Sequence, residues 1–137
     1  MVVESKYLKV IRADQDEDIS FLGDLVVAQG ILLKGEISVG SGSLFIKSGA
    51  VVKGNINVSI CVNVGKEAKI IGQVRAFCVE NRGEIKGNIN ANFFKNFGTS
   101  TGNVDAKAVI IGEYGVHRGP IKSLCVRIDK LGKHFEA

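Results

Sequence analysis

Tryptophan is missing from this chain of 137 residues, proline and methionine occur once each, and histidine occurs twice. With so little proline and no three-residue period among its 17 glycines, the chain is not collagen-like, and with 45% apolar residues it is not disordered. The two histidines, His117 and His134, have no carboxylate beside them at ligand spacing, so no set of metal ligands forms. Cys61, Cys78 and Cys125 are odd in number and lack CxxC spacing, which indicates neither a disulfide framework nor a zinc ribbon and fits a reducing cytoplasm. No run of 18 apolar residues occurs, and scattered charges fill Met1 to Val10 where a signal peptide would be apolar. Helix signals are absent throughout.

Charge is present but uneven. Residues 1–18 carry three basic and five acidic groups, against 15 basic and nine acidic in the remainder, so a body near +6 follows a slightly acidic leader. A chain of this length holds one domain with a continuous core.

What the chain has in abundance is one phrase. "VVKGNINV" at 51–58 returns as "EIKGNINA" at 84–91, and "LLKGEISV" at 32–39 is a looser version. Aligned on its glycine, the phrase has six anchors, Gly35, Gly54, Gly72, Gly87, Gly102 and Gly119, spaced by 19, 18, 15, 15 and 17 residues. Two residues on stands a β-branched column, Ile37, Ile56, Val74, Ile89, Val104 and Ile121. Four residues on stand Val39, Val58, Ala76, Ala91, Ala106 and Ser123; two residues before stand Leu33, Val52, Ile70, Ile85, Ser100 and His117. The period of two marks strands. Units of 15 to 19 residues are too short for a βαβ crossover of roughly 30 residues, so they stack, and the prediction is a parallel β-solenoid of about six rungs.

Outward positions complete the pattern. The residue after each glycine (Glu36, Asn55, Gln73, Asn88, Asn103, Pro120) predicts a ladder of stacked amides. The residue before it is basic at Lys34, Lys53, Lys86 and Arg118, which lines up a cationic edge. Such an edge either guards against misassembly or offers a surface to an anionic partner or membrane. Cys78 and Cys125 are in phase with inward positions and read as core residues, whereas Cys61 is out of phase.

Chemistry is not legible. "GSGSLFIKSG" lacks the glycine that a phosphate loop needs before its Lys-Ser, because Ile46 stands there. Val52, Val58, Val64 and Ile70 run at the spacing of hexapeptide-repeat acyltransferases, but that frame then meets Ala76 and Arg82, and 15-residue units cannot hold three hexads. No serine has a histidine to activate it. The chain is expected not to be an enzyme, to need no cofactor and to bind no nucleic acid.

"LVVAQGILLKGEISVGSGSLFIKSGAVVKGNINV", continued by "VGKEAKIIGQV" and "GEIKGNINA", resembles the bactofilins, polymer-forming cytoskeletal proteins of bacteria, over about residues 20–121. The resemblance implies an all-β, single right-handed parallel β-helix whose ends dock into filaments without nucleotide. It further implies partners among cell-wall or membrane proteins, a cytoplasmic location near the inner membrane face, and a role in organising cell shape, cell wall or motility machinery. The competing reading is a monomeric adaptor on an anionic surface. The expected partition is a flexible leader at 1–18, the β-helix at 19–124 and a tail at 125–137. Leu25, Val27, Ile31 and Leu33 are expected at one docking end, and Val109, Ile111, Val116, Ile121 and Leu124 at the other.

Overall fold

A computed structural model describes residues 7–136. The first six residues of the expected leader and the last of the expected tail lie outside the described residues.

Seventeen strands and no helix make up the described chain. In order they are β1 (Leu8–Ile11), β2 (Ile19–Leu22), β3 (Asp24–Val27), β4 (Leu32–Lys34), β5 (Ile37–Gly40) and β6 (Leu44–Ile46). They continue with β7 (Val51–Lys53), β8 (Ile56–Val64), β9 (Lys69–Ile71), β10 (Val74–Asn81), β11 (Glu84–Lys86) and β12 (Ile89–Asn96). The last are β13 (Thr99–Thr101), β14 (Val104–Ile111), β15 (Val116–Arg118), β16 (Ile121–Ile128) and β17 (Lys133–Phe135).

All pairings are parallel, and each turn passes through three faces. The first face stacks β4, β7, β9, β11, β13, β15 and β17. The second stacks β2, β5 and the leading halves of β8, β10, β12, β14 and β16, whose trailing halves stack with β1, β3 and β6 as the third. With the bridge from Gln15 to Leu33, the solenoid has about eight turns, two more than the glycine count predicts. The extra turns come from segments without the glycine phrase: β1, in the expected leader, pairs β3, and β17, in the expected tail, pairs β15.

The glycine corner joins the first and second faces. Gly87 has φ +150, where side chains are rarely found, and a Cβ there would fall on the carbonyl of Gly72 directly below it. The Gly87 amide donates to the Thr101 carbonyl of the next turn (2.9 Å), so the corner itself joins the ladder. The amides after the glycine do not stack on one another as expected. Asn55 Oδ1 accepts from the Gln73 amide (3.1 Å) and Asn88 Oδ1 from the Asn103 amide (3.0 Å), because a backbone N–H turned out by the corner is the nearest unsatisfied donor.

The difference between the 15- and 17-residue repeats has a location, while the 18- and 19-residue repeats add residues at the corner between the second and third faces. Between the third and first faces the chain uses either a four-residue turn with a positive-φ residue, as at Gly49, Glu67, Tyr114 and Leu131, or two residues, Arg82-Gly83 and Phe97-Gly98. The short corners follow Asn81 and Asn96, whose Oδ1 atoms accept from the amides of Gly83 (3.0 Å) and Gly98 (3.2 Å). An inward asparagine thus replaces two residues of turn.

Inside, the predicted columns are buried: Ile37, Ile56, Val74, Ile89 and Val104 on the second face, and Leu33, Val52, Ile70 and Ile85 on the first. Toward the C-terminal end the interior turns polar. Asn81 Nδ2 donates to Asn96 Oδ1 (2.9 Å), Asn96 Nδ2 to Ser100 Oγ (3.0 Å), and the Ser100 hydroxyl meets His117 Nδ1 at 2.6 Å. Every member of this buried string finds a partner for at least one polar atom, while His117 Nε2 is left without a hydrogen bond among the described residues.

Candidate self-association surfaces

A solenoid satisfies its backbone turn by turn, so only its first and last turns leave strand edges and core columns without a neighbour. In the last turn Val126 and Ile128 occupy inward columns, in register with Val109 and Ile111. They are 44% and 47% exposed, whereas Val109 and Ile111 are 1% and 0%. His134 closes the adjoining column, stacked on His117 with ring centroids 5.6 Å apart, and its Nε2 donates to the Gly119 carbonyl (2.8 Å). The first described turn is different: Ile11 and Ile19 are nearly buried, and Lys9 stands in the inward column above Leu25.

Several residues expected at the ends lie within the stack. Leu25 and Val27 in β3 are covered by β1 on one side and β6 on the other, and Leu33 by the Gln15 bridge and β7; all three are buried. Ile31 packs against the same core. Val109, Ile111 and Val116 are covered by β16 and β17, which leaves Ile121 and Leu124 in the last turn. Leu124 is 89% exposed because it points outward, not along the axis. Val126 and Ile128, the inward residues of the same strand, alternate with it in sequence; the phase change at the corner between the second and third faces hid the difference.

The same corner corrects the cysteines. It takes one residue, so after inward Ala76 the next inward residue is Val79, and Cys78 turns out on the third face, half-buried beside its register partner Cys61. Burial pushes the Cys61 thiol up to about 11, helped by Cys78. Cys125 is exposed. No cluster of three or more metal-ligating side chains occurs among the described residues, and no helix there is long and apolar enough to cross a membrane.

The cationic edge is broken. Lys34 and Lys53 are register neighbours, but Ile71 and Thr101 interrupt the column. Lys86 Nζ lies 3.5 Å from Glu84, and the Arg118 guanidinium sits 4.7 Å from the Phe135 ring. Two adjacent free lysines are a weak electrostatic surface.

On the second face, by contrast, five successive turns present Asn57, Arg75, Asn90, Asp105 and Lys122 outward, all exposed. None of the three charges belongs to an ion pair within the described chain, although Asp105 and Lys122 are register neighbours. No feature of composition distinguishes this column; it emerges only once the register is known.

A family model described as Bactofilin, polymer-forming cytoskeletal, matches residues 25–122. No curated protein and no solved structure matches the chain.

Proposed function

Because the chain belongs to the bactofilin family of polymer-forming cytoskeletal proteins, we propose that it polymerises end to end, without nucleotide, into filaments that act as a cytoplasmic scaffold. The observation that carries this reading is the unfinished core of the last turn. Val126 and Ile128 remain half open to water while the residues one turn below are buried, and among the described residues no further strand pairs the free edges of β16 and β17. Another molecule supplies both in one contact, and a contact whose symmetry does not close produces an open filament. The first described turn contributes strand edges but places Lys9 in its inward column, so the last turn makes the stronger joint.

The solenoid itself accounts for the absence of a catalytic demand: hydrophobic burial and ladder hydrogen bonds supply the association energy, with no bond to be hydrolysed. In this reading the filament recruits cell-wall or membrane proteins and lies near the inner membrane face. The test is negative-stain electron microscopy of the purified full chain without nucleotide. Filaments are expected; uniform small particles at all concentrations and salt levels would overturn the proposal in favour of a monomeric adaptor.

A further inference from the structure

The outward column of the second face has a charge order that complements itself when reversed. About the central turn, that of Asn90, Arg75 lies one turn to one side and Asp105 one turn to the other; Asn57 and Lys122 lie two turns away. We propose that this face is a lateral interface between two copies of the chain, lying antiparallel about a two-fold axis that runs along the strands of the Asn90 turn. That axis reverses the rod and keeps each column opposite itself. Arg75 of each copy then meets Asp105 of the other, twice over, and Asn57 meets Lys122.

The neighbouring outward column at the corner with the third face follows the same symmetry. On the same five turns it presents Ile60, Phe77, Asn92, Lys107 and Leu124, where Ile60 is the second of two residues, Ser59 and Ile60, that lie opposite Phe77 at a register shift. Reversal sets Ile60 against Leu124, both large exposed apolar residues, and Lys107 over the Phe77 ring, a cation-π contact. Both copies have the same strand spacing of about 4.8 Å, so a match at one turn is kept at the others.

Competing arrangements fail on the same residues. With the rods parallel, Arg75, Asp105 and Lys122 each face their own copies. Slipping the antiparallel pair by one turn sets Arg75 against Asn90 in one direction and against Lys122 in the other. Slipping it by two turns opposes Arg75 to itself or Asp105 to itself. Like charges brought together select against all of these registers except the slip that sets Arg75 against Asn90, which loses both ion pairs instead.

The paired stretch, five of the face's seven turns by about five residues, has a footprint of about 400 Å² per copy, roughly half of what each partner buries in a stable complex. Single molecules therefore pair transiently, and the contact becomes firm when many copies in a row engage together. Only this strengthening rests on the end-to-end reading; one molecule carries the whole face.

Asn90 stands on the proposed axis, so Asn90→Cys in the full chain should form a disulfide between the two introduced thiols under mild oxidation, identified by mass spectrometry of the linked peptide. Arg75→Asp and Asp105→Arg, introduced separately into that chain, should each lower the linked yield roughly tenfold, because two attractive contacts become repulsive. Mixing the two variants, or combining both changes in one chain, should restore it. Absence of the link in the parent, or single variants that link as well as it does, overturns the proposal even where filaments form. A link without filaments sustains the pairing and overturns only the end-to-end reading.

Discussion

Ile128→Asp places the end-to-end joint under quantitative test. Ile128 is 47% exposed, while Ile111, the same position one turn below, is fully buried. Complete burial of an isoleucine is worth about 1.5–3 kcal/mol, so about 1 kcal/mol remains for a docking molecule to gain at this side chain. Aspartate forfeits that and brings a carboxylate into an apolar contact, at a further cost of about 2–3 kcal/mol even with partial hydration. The sum, about 3–4 kcal/mol per joint, weakens each joint a few hundredfold. In a pelleting assay over a concentration series, the critical concentration should rise by about two orders of magnitude. The fold should survive, because the position is half open to solvent in the isolated chain, and the circular dichroism spectrum checks this. Cys125→Asp, three residues away on the same strand but exposed outward on the third face, should leave the critical concentration unchanged. The reasoning is refuted if Ile128→Asp polymerises at the parent concentration, or if Cys125→Asp blocks growth as strongly.

Gly87→Ala should destabilise far more than Gly30→Ala, although both glycines have positive φ: alanine at Gly87 meets the Gly72 carbonyl, whereas Gly30 has open space around it. Strain alone costs about 1–2 kcal/mol, and the added clash takes Gly87→Ala above about 3 kcal/mol, which at about 3 °C per kcal/mol separates the two melting temperatures by several degrees; equal losses would count against the corner. His117 gives a pH dependence. Burial, then the neighbouring His134, holds its folded pKa below the ordinary 6.5. The unfolded chain therefore takes up the proton first, so stability held above pH 6.5 is lost as pH falls toward the folded pKa. Urea midpoints at about pH 7 and about pH 5.5 should differ in the parent and less so in His117→Gln; an unchanged difference in the variant would assign the effect to other groups.

The solenoid was legible because its inward columns obey a period of two around an obligatory glycine, and a side chain at Gly54, Gly72 or Gly87 would strike the backbone of the turn below. Its extent was not. The turn that begins the described stack has no glycine phrase and borrows Asp14 and Asp18 instead, whose carboxylates accept from the amides of Leu32 (2.7 Å) and Glu36 (2.8 Å). The last turn was hard to place for a related reason: the end of the stack depends on where the last strand stops, and the glycine phrase marks corners, not that stop. Cys78 and Cys125 were assigned to the core because counting by twos from the glycine does not register a corner that takes a single extra residue. The charge column of the second face was hidden among residues spaced 15 to 18 apart, and only strand register places Arg75, Asn90, Asp105 and Lys122 in line.

The hydrogen bonds between turns point along the rod, as parallel ladders must when strands run across it. Tension on the rod therefore pulls on every bond between two turns at the same moment, so they must fail together and not one after another. A chain of such rods would behave under load as stiff links with softer couplings, since a joint is held by contacts alone while successive turns within a link are also joined by the backbone. Stretching would open the couplings before any link unravelled, and a filament that breaks in this way releases folded molecules ready to join again.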